Sequence, residues 1–350
     1  MRLLWVIPLL VEAHNKSFLH HCATDCNCQE ELRTANCSQA FLRLLPSQLP
    51  PYTEHLDLSQ NQLTHIPRRA FQTTRRLKTL FLNDNNISSV ADGAFSPLEG
   101  LLKLDLSRNR IAALGEGFTL GMGCLKELLL SENRLVSLDT HSFQHLDGLL
   151  RLNLSHNAIH LVQVRAFGCM GTLRRLYLDS NRIWSLDNGV FTTLKSLEVL
   201  HLQRNNISLI EIGALTPLTS LALLNLACNQ LTSIHFKTFL SLHTYSTHIL
   251  LENNPWHCDC DLQRVFRKLH SIRRLFLDDY HNLRCTEPPE LQGYGLTEVD
   301  AELCIAEMVT VLIITVAVVI TVVAALVMAQ RRRRKKEKHW TDRASELSYD

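Results

Sequence analysis

Hydrophobic positions recur along this chain at a fixed spacing, and one polar residue keeps step with them. The cleanest copy reads Leu77-x-x-Leu80-x-Leu82-x-x-Asn85-x-Ile87. It returns as Leu101/Leu104/Leu106/Asn109/Ile111 and Leu125/Leu128/Leu130/Asn133/Leu135. Four more copies run from Leu149 to Ile159, Leu173 to Ile183, Leu197 to Ile207 and Leu221 to Leu231. A softer copy with Thr53, Leu56, Leu58, Asn61 and Leu63 leads the series, and a decayed one with Tyr245, His248, Leu250, Asn253 and Pro255 ends it. The asparagines Asn61, Asn85, Asn109, Asn133, Asn157, Asn181, Asn205, Asn229 and Asn253 are each 24 residues apart.

Leu-x-Leu alternation predicts a short strand with one buried face. A period of this length predicts a solenoid, in which stacked units share one continuous core. Nine strands about 4.8 Å apart make a parallel sheet roughly 40 Å long. The chain must turn after each strand, leaving backbone groups inside. An Asn side chain both donates and accepts, so a column of them can satisfy those groups. A large apolar residue falls ten places after each Asn: Phe71, Phe95, Phe143, Phe167, Phe191, Leu215 and Phe239. The third repeat departs, with Phe118 one place early, Thr119 in the slot, and Gly115, Gly117, Gly121 and Gly123 close by. A bulge on the convex side is expected there.

Over residues 53–253 the sequence resembles the leucine-rich repeat family. The resemblance implies an α/β fold: a curved parallel sheet of 24-residue repeats, closed by cysteine caps. Two flanking groups hold eight of the 11 cysteines. The first, in 14–52, is Cys22-x3-Cys26-x-Cys28-x8-Cys37 followed by Leu42, Leu45 and Pro46. The second, in 254–304, is Asn254-Pro255-Trp256-His257-Cys258-Asp259-Cys260, then Cys285 and Cys304. They look like the family's N- and C-terminal caps, which implies bonds Cys22–Cys28, Cys26–Cys37, Cys258–Cys285 and Cys260–Cys304. Zinc is the rival reading of Cys-x-Cys; in an exported chain disulfides are the expectation. Cys124, Cys169 and Cys228 remain, and they read as buried free thiols packed as small apolar residues. Cys228, directly before a ladder Asn, reads as the most accessible of the three.

Residues 1–13 read as a secretory signal: Arg2, an apolar run, then Val11-Glu12-Ala13. Residues 308–329 form an uncharged, apolar stretch long enough for one membrane helix. The basic cluster Arg331, Arg332, Arg333, Arg334, Lys335 and Lys336 follows, which by the positive-inside rule puts the 331–350 tail in the cytoplasm and suits anionic lipid. The expectation is a single-pass type I protein of the plasma membrane. Formal net charge is +2, and the last 20 residues carry +4 of their own. The remainder is slightly acidic, which argues against a nucleic-acid surface. Sequons begin at Asn15, Asn36, Asn86, Asn153 and Asn206.

No motif for nucleophilic, metal-dependent or phosphate chemistry is found, so neither catalysis nor a cofactor is expected. Function is then expected on the concave face, where outward residues lie six, four and two places before each ladder Asn. Counted so, Val199, Leu223, Ala227, Ile249 and Leu251 form an apolar cluster at the C-terminal end, unless the cap covers the last two. Arg151 and Arg175 beside Tyr177 form a second candidate patch. Asn153 sits in an outward column of the central strand, where a glycan would obstruct a spanning ligand.

Only Ile305, Ala306 and Glu307 separate Cys304 from the membrane run, which suits a partner in the same membrane. In its caps, stalkless helix and basic cluster the chain is also similar to the auxiliary gamma subunits of the large-conductance calcium-activated potassium channel. It departs from them in having more repeats and no proline in the helix. The expected function is a cell-surface protein that binds protein partners as an adhesion molecule or co-receptor. The alternative is an auxiliary subunit of a membrane channel or receptor.

Overall fold

A computed structural model describes residues 22–242, 244–299 and 301–346, without the side chains of 301–308 and 334–346. The expected signal segment and Asn15 lie outside the described residues. The chain forms a 12-stranded sheet whose strands follow one another in chain order. Asn27–Gln29 and Thr34–Asn36 pair antiparallel, and every later neighbour is parallel. The repeat strands are His55–Asp57, Thr79–Phe81, Lys103–Asp105, Glu127–Leu129, Arg151–Asn153, Arg175–Tyr177, Val199–His201 and Leu223–Asn225. Thr247–Leu250 and Leu275–Leu277 close the far end. Each repeat strand buries its middle leucine completely, as the alternation requires.

The asparagine column is a hydrogen-bond ladder. Asn133 donates from Nδ2 to the carbonyls of Leu106 at 2.9 Å and Leu130 at 3.1 Å, and its Oδ1 accepts from the Ile111 amide at 3.0 Å. Asn85, Asn109, Asn157, Asn181, Asn205 and Asn229 repeat this pattern. Each binds the turn of its own repeat to the one before. The residue preceding each ladder Asn, from Gln60 to Cys228, takes a left-handed conformation with φ between 52° and 56°. That kink swings the chain out of the strand and points the Asn inward.

The last repeat does not keep the period. Asn254, not Asn253, fills the ladder slot: it donates to Leu226 O at 3.1 Å and Leu251 O at 2.8 Å and accepts from Leu231 N at 3.1 Å. Asn253 occupies the left-handed position before it, with φ 56°. The sheet register slips by one residue at the same place, pairing Leu223 with His248 and Leu224 with Ile249. Because side chains alternate, one residue of slip exchanges the faces of the strand. Ile249 and Leu251 are therefore fully buried core residues rather than members of an exposed cluster, while His248 and Leu250 face outward. Tyr245, expected inward, is fully exposed.

On the convex side Phe71 and Phe95 stack with ring centres 5.9 Å apart, and Phe143, Phe167 and Phe191 stack at 6.2 and 6.3 Å. Phe118 meets Phe95 edge-on at 6.0 Å, so the early Phe keeps its place in the stack by turning its ring. The glycine-rich third repeat closes down rather than bulging. A Cβ on Gly115 would lie 2.4 Å from Asp92 Oδ1, and one on Gly121, at φ +84°, 2.6 Å from the Ser96 carbonyl. Bare backbone is what allows this approach.

The ends are tied by disulfides Cys22–Cys28, Cys26–Cys37 and Cys258–Cys285. Cys260 is also disulfide-bonded, and the side chain of its expected partner Cys304 lies outside the described residues. After a short helix α1 (Phe236–Leu240), the C-terminal cap packs helix α2 (Cys260–His270) against the core through Leu262, Phe266 and Leu269, with Phe266 edge-on to the buried Trp256 at 5.4 Å. Asp259 caps this helix by accepting from the Leu262 amide at 2.7 Å. The unpaired cysteines differ from expectation. Cys124 and Cys169 are exposed and Cys228 half-buried, because none of them occupies an inward slot of the repeat. A final helix, α3, runs unbroken from Ala301 to Glu346 and contains an apolar span, Val309–Arg333, long enough to cross a membrane. Within it Thr315 and Thr321 donate their hydroxyls to the carbonyls three residues earlier, so neither presents an unpaired donor to lipid.

Candidate functional site on the concave face

Outward residues of the central strands form a continuous row of contacts. Glu127 lies between Lys103, at 2.9 Å, and Arg151, at 3.4 Å. Burial pushes the Glu127 carboxyl up, but the Lys103 hydrogen bond and charge and the nearby Arg151 outweigh it, leaving the group below its ordinary value. Arg151 also lies over the Tyr177 ring, 5.3 Å from its centre. On its other side Tyr177 stacks on His201, with ring centres 5.1 Å apart. Both ring faces are thus taken, which holds the phenol upright in the sheet. Arg175 is exposed beside it and pairs in register with Arg151 and Val199.

The apolar end of this face exists, but with a different membership. Val199 and Leu223 are half-buried and outward, as the spacing predicts. Ala227 is buried. The register slip replaces Ile249 and Leu251 with Leu250, and the extra strand Leu275–Leu277 adds Phe276, which is 44% exposed. Phe276 stacks on His248 at 5.1 Å, and His248 in turn meets the Asp278 carboxylate at 3.0 Å. Sequence reasoning missed Phe276 because its strand belongs to the cap and lacks the repeat pattern. A Leu-Phe-Leu triplet after a helix was the available signal. Among the described residues no cluster of His, Cys, Asp or Glu has the make-up of a metal site.

Asn153 pairs in register with Tyr177, at the border of this strip. Its Oδ1 accepts from the amide and hydroxyl of Ser155, at 3.0 and 2.7 Å, which leaves Nδ2 pointing away from the turn. Arg331, Arg332 and Arg333 are exposed on α3, and the side chains of Arg334, Lys335 and Lys336 lie outside the described residues.

This architecture defines a capped leucine-rich repeat solenoid joined to one helix of membrane-spanning length. The Leucine rich repeat family matches residues 51–111, 124–183 and 171–231. Human Leucine-rich repeat-containing protein 3C is 43% identical over 70 residues, covering 20% of this chain and 26% of that protein. Leucine-rich repeat-containing protein 3B of Danio rerio is 33% identical over 88 residues, covering 24% of this chain and 34% of that protein. The matched stretch spans about a third or less of these relatives. The crystal structure of human 5T4 (Wnt-activated inhibitory factor 1, Trophoblast glycoprotein) aligns with a TM-score of 0.60 at 26% identity, over 81% of this chain and 98% of that one. The chain is a leucine-rich repeat protein with one candidate membrane-spanning helix.

Proposed function

We propose that this is a type I protein of the plasma membrane that binds a protein partner through the C-terminal half of its concave face, as an adhesion molecule or co-receptor. One observation carries the reading. Arg151, Arg175, Tyr177, Val199, Leu223, Leu250 and Phe276 all face outward on consecutive strands. Held aromatics, arginines and aliphatics in one strip have the make-up of an interface centre. Glycans at Asn36, Asn86 and Asn206 would leave this strip open, while one at Asn153 would bound it on the N-terminal side. The basic cluster after the helix supports this orientation.

Proximity labelling from the full-length chain on living cells tests this. Tyr177→Ala and Phe276→Ala should each weaken capture of the partner by about 2 kcal/mol, or roughly 30-fold, with surface delivery unchanged. Capture by both variants at the level of the unsubstituted chain would sink the reading. The unbroken run of α3 from Ala301 into the apolar span supports a second reading, an auxiliary subunit of a channel or receptor in the same membrane. Replacing Arg331–Arg334 with Ala should spare adhesion and impair such modulation.

A further inference from the structure

Two sequons sit at the same point of the repeat, one residue after a ladder Asn, and their surroundings differ in kind. The Asn86 and Asn206 amides donate to Leu63 O and Ile183 O respectively, each at 2.9 Å. Two residues on, Ser88 and Ser208 donate to the carbonyls of Thr64 and Trp184, at 2.9 and 3.0 Å. Short parallel strands follow in both places, His65–Ile66 with Ser89–Val90 and Ser185–Leu186 with Leu209–Ile210. The backbones are therefore equivalent. The exposed neighbours are not. Around Asn86 they are Thr64, Ser89 and Asp92, whereas around Asn206 they are Trp184, Leu209 and Ile212. These three are 53%, 50% and 47% exposed, a patch on the convex side that no described side chain covers.

We propose that an N-glycan on Asn206 folds back over this patch, its first sugar lying on the Trp184 indole. A backbone hydrogen bond sets the reach. Asn206, Ser208 and Trp184 are all exposed, the Ser208 amide donates to the Trp184 carbonyl at 3.0 Å, and Asn206 is two residues earlier, a diagonal of about 7 Å. That is about the length of one sugar ring with its linkage. The C–H face of a pyranose is weakly positive and the indole face negative, so the two attract. The occupant follows from attachment: a bulky, solubilising group is tethered beside an apolar patch that solvent would otherwise meet. Asn86, with Thr64 in place of the Trp, is the internal control.

The inference rests on export of the ectodomain, as proposed above. The full-length chain, made in a secretory eukaryotic cell and held in detergent, is mapped by hydroxyl-radical footprinting read by peptide mass spectrometry. Asn206→Gln should raise oxidation of Trp184 about threefold or more and leave the fully buried Trp256 unchanged. Trp184→Thr should speed enzymatic release of the Asn206 glycan to the rate at Asn86. Occupancy at Asn86 with none at Asn206 would overturn the proposal, as would an occupied Asn206 whose loss leaves Trp184 oxidation unchanged. Absence of glycan at Asn206 with Asn36 or Asn153 occupied would likewise overturn the proposal alone, and absence at every sequon would overturn export together with it.

Discussion

The two ends of the solenoid face the same problem and solve it with opposite electrostatics. At the N-terminal end Glu54 ties the first hairpin to the second repeat by ion pairs with Arg33 and Lys78. The hydrogen bonds from Lys78 and then Arg33 hold its carboxyl down at about 2. At the C-terminal end Asp279 accepts from the Leu251 and Glu252 amides, both at 2.6 Å, and ties the last repeat to the cap. No cation pairs with it among the described residues, and its Oδ1 has no hydrogen-bond partner there. Burial, with the Glu252 charge adding to it, pushes the Asp279 carboxyl up against those amide bonds. One end is held by charge pairs, and the other by backbone bonds to a carboxylate that burial penalises. The second is also where the register slips. A solenoid's period is enforced by neighbours on both sides, and the last repeat answers to a cap with its own geometry.

The largest test of this contrast is at the slip. Asn254→Ala strands Leu251 O and Leu231 N in the core, while Leu226 O keeps Asn229 Nδ2 at 3.0 Å. At roughly 1–3 kcal/mol for each stranded group, a loss of about 4 kcal/mol is expected in urea unfolding. Asn253→Ala should cost only about 1 kcal/mol, that of putting Ala in a left-handed position. Equal losses would restore the unbroken 24-residue period. Next come the disulfides. Opening Cys258–Cys285, which closes 27 residues, should cost about 3.5 kcal/mol, and opening Cys22–Cys28, which closes 6, about 2 kcal/mol.

The interior of this molecule was legible because each repeat is the same experiment run again. Leucines at fixed intervals can only be one face of a strand, and an Asn at each turn only its hydrogen-bond partner. The end was misread because the asparagine period was followed past the point where the apolar pattern left it. Ile249, Leu251, Asn254 and Trp256 are all buried and reproduce the spacing one residue late. Two asparagines side by side hid this, since the wrong one kept the count. Exposure of Cys124 and Cys169, and of the patch at Trp184, carries no periodic signal at all. The binding strip was half legible: Arg151, Arg175 and Tyr177 follow from the repeat, but Phe276 depends on a strand added by the cap.

The smallest effect is the one that separates the two ends within a single sample. Glu54 is held below its ordinary value of 4.5, so its stabilisation is complete above that pH. It is lost as pH falls through 4.5 toward about 2, where the native carboxyl protonates. Asp279 is raised above 3.8, so the sign reverses: its contribution is complete below 3.8 and is lost as pH rises through the native value. Acidification from neutrality to about pH 3.5 should therefore loosen the N-terminal hairpin while tightening the junction at Leu251 and Glu252. Hydrogen exchange corrected for intrinsic rates reads both ends at once. Amides of Thr34–Asn36 and His55–Asp57 should lose protection, and those of Leu251 and Glu252 should gain it. Parallel loss at both ends would mean that global charge, not these two carboxylates, governs the response. Glu54→Gln separates the cases, because it should flatten the acid response of the hairpin and leave the far junction untouched.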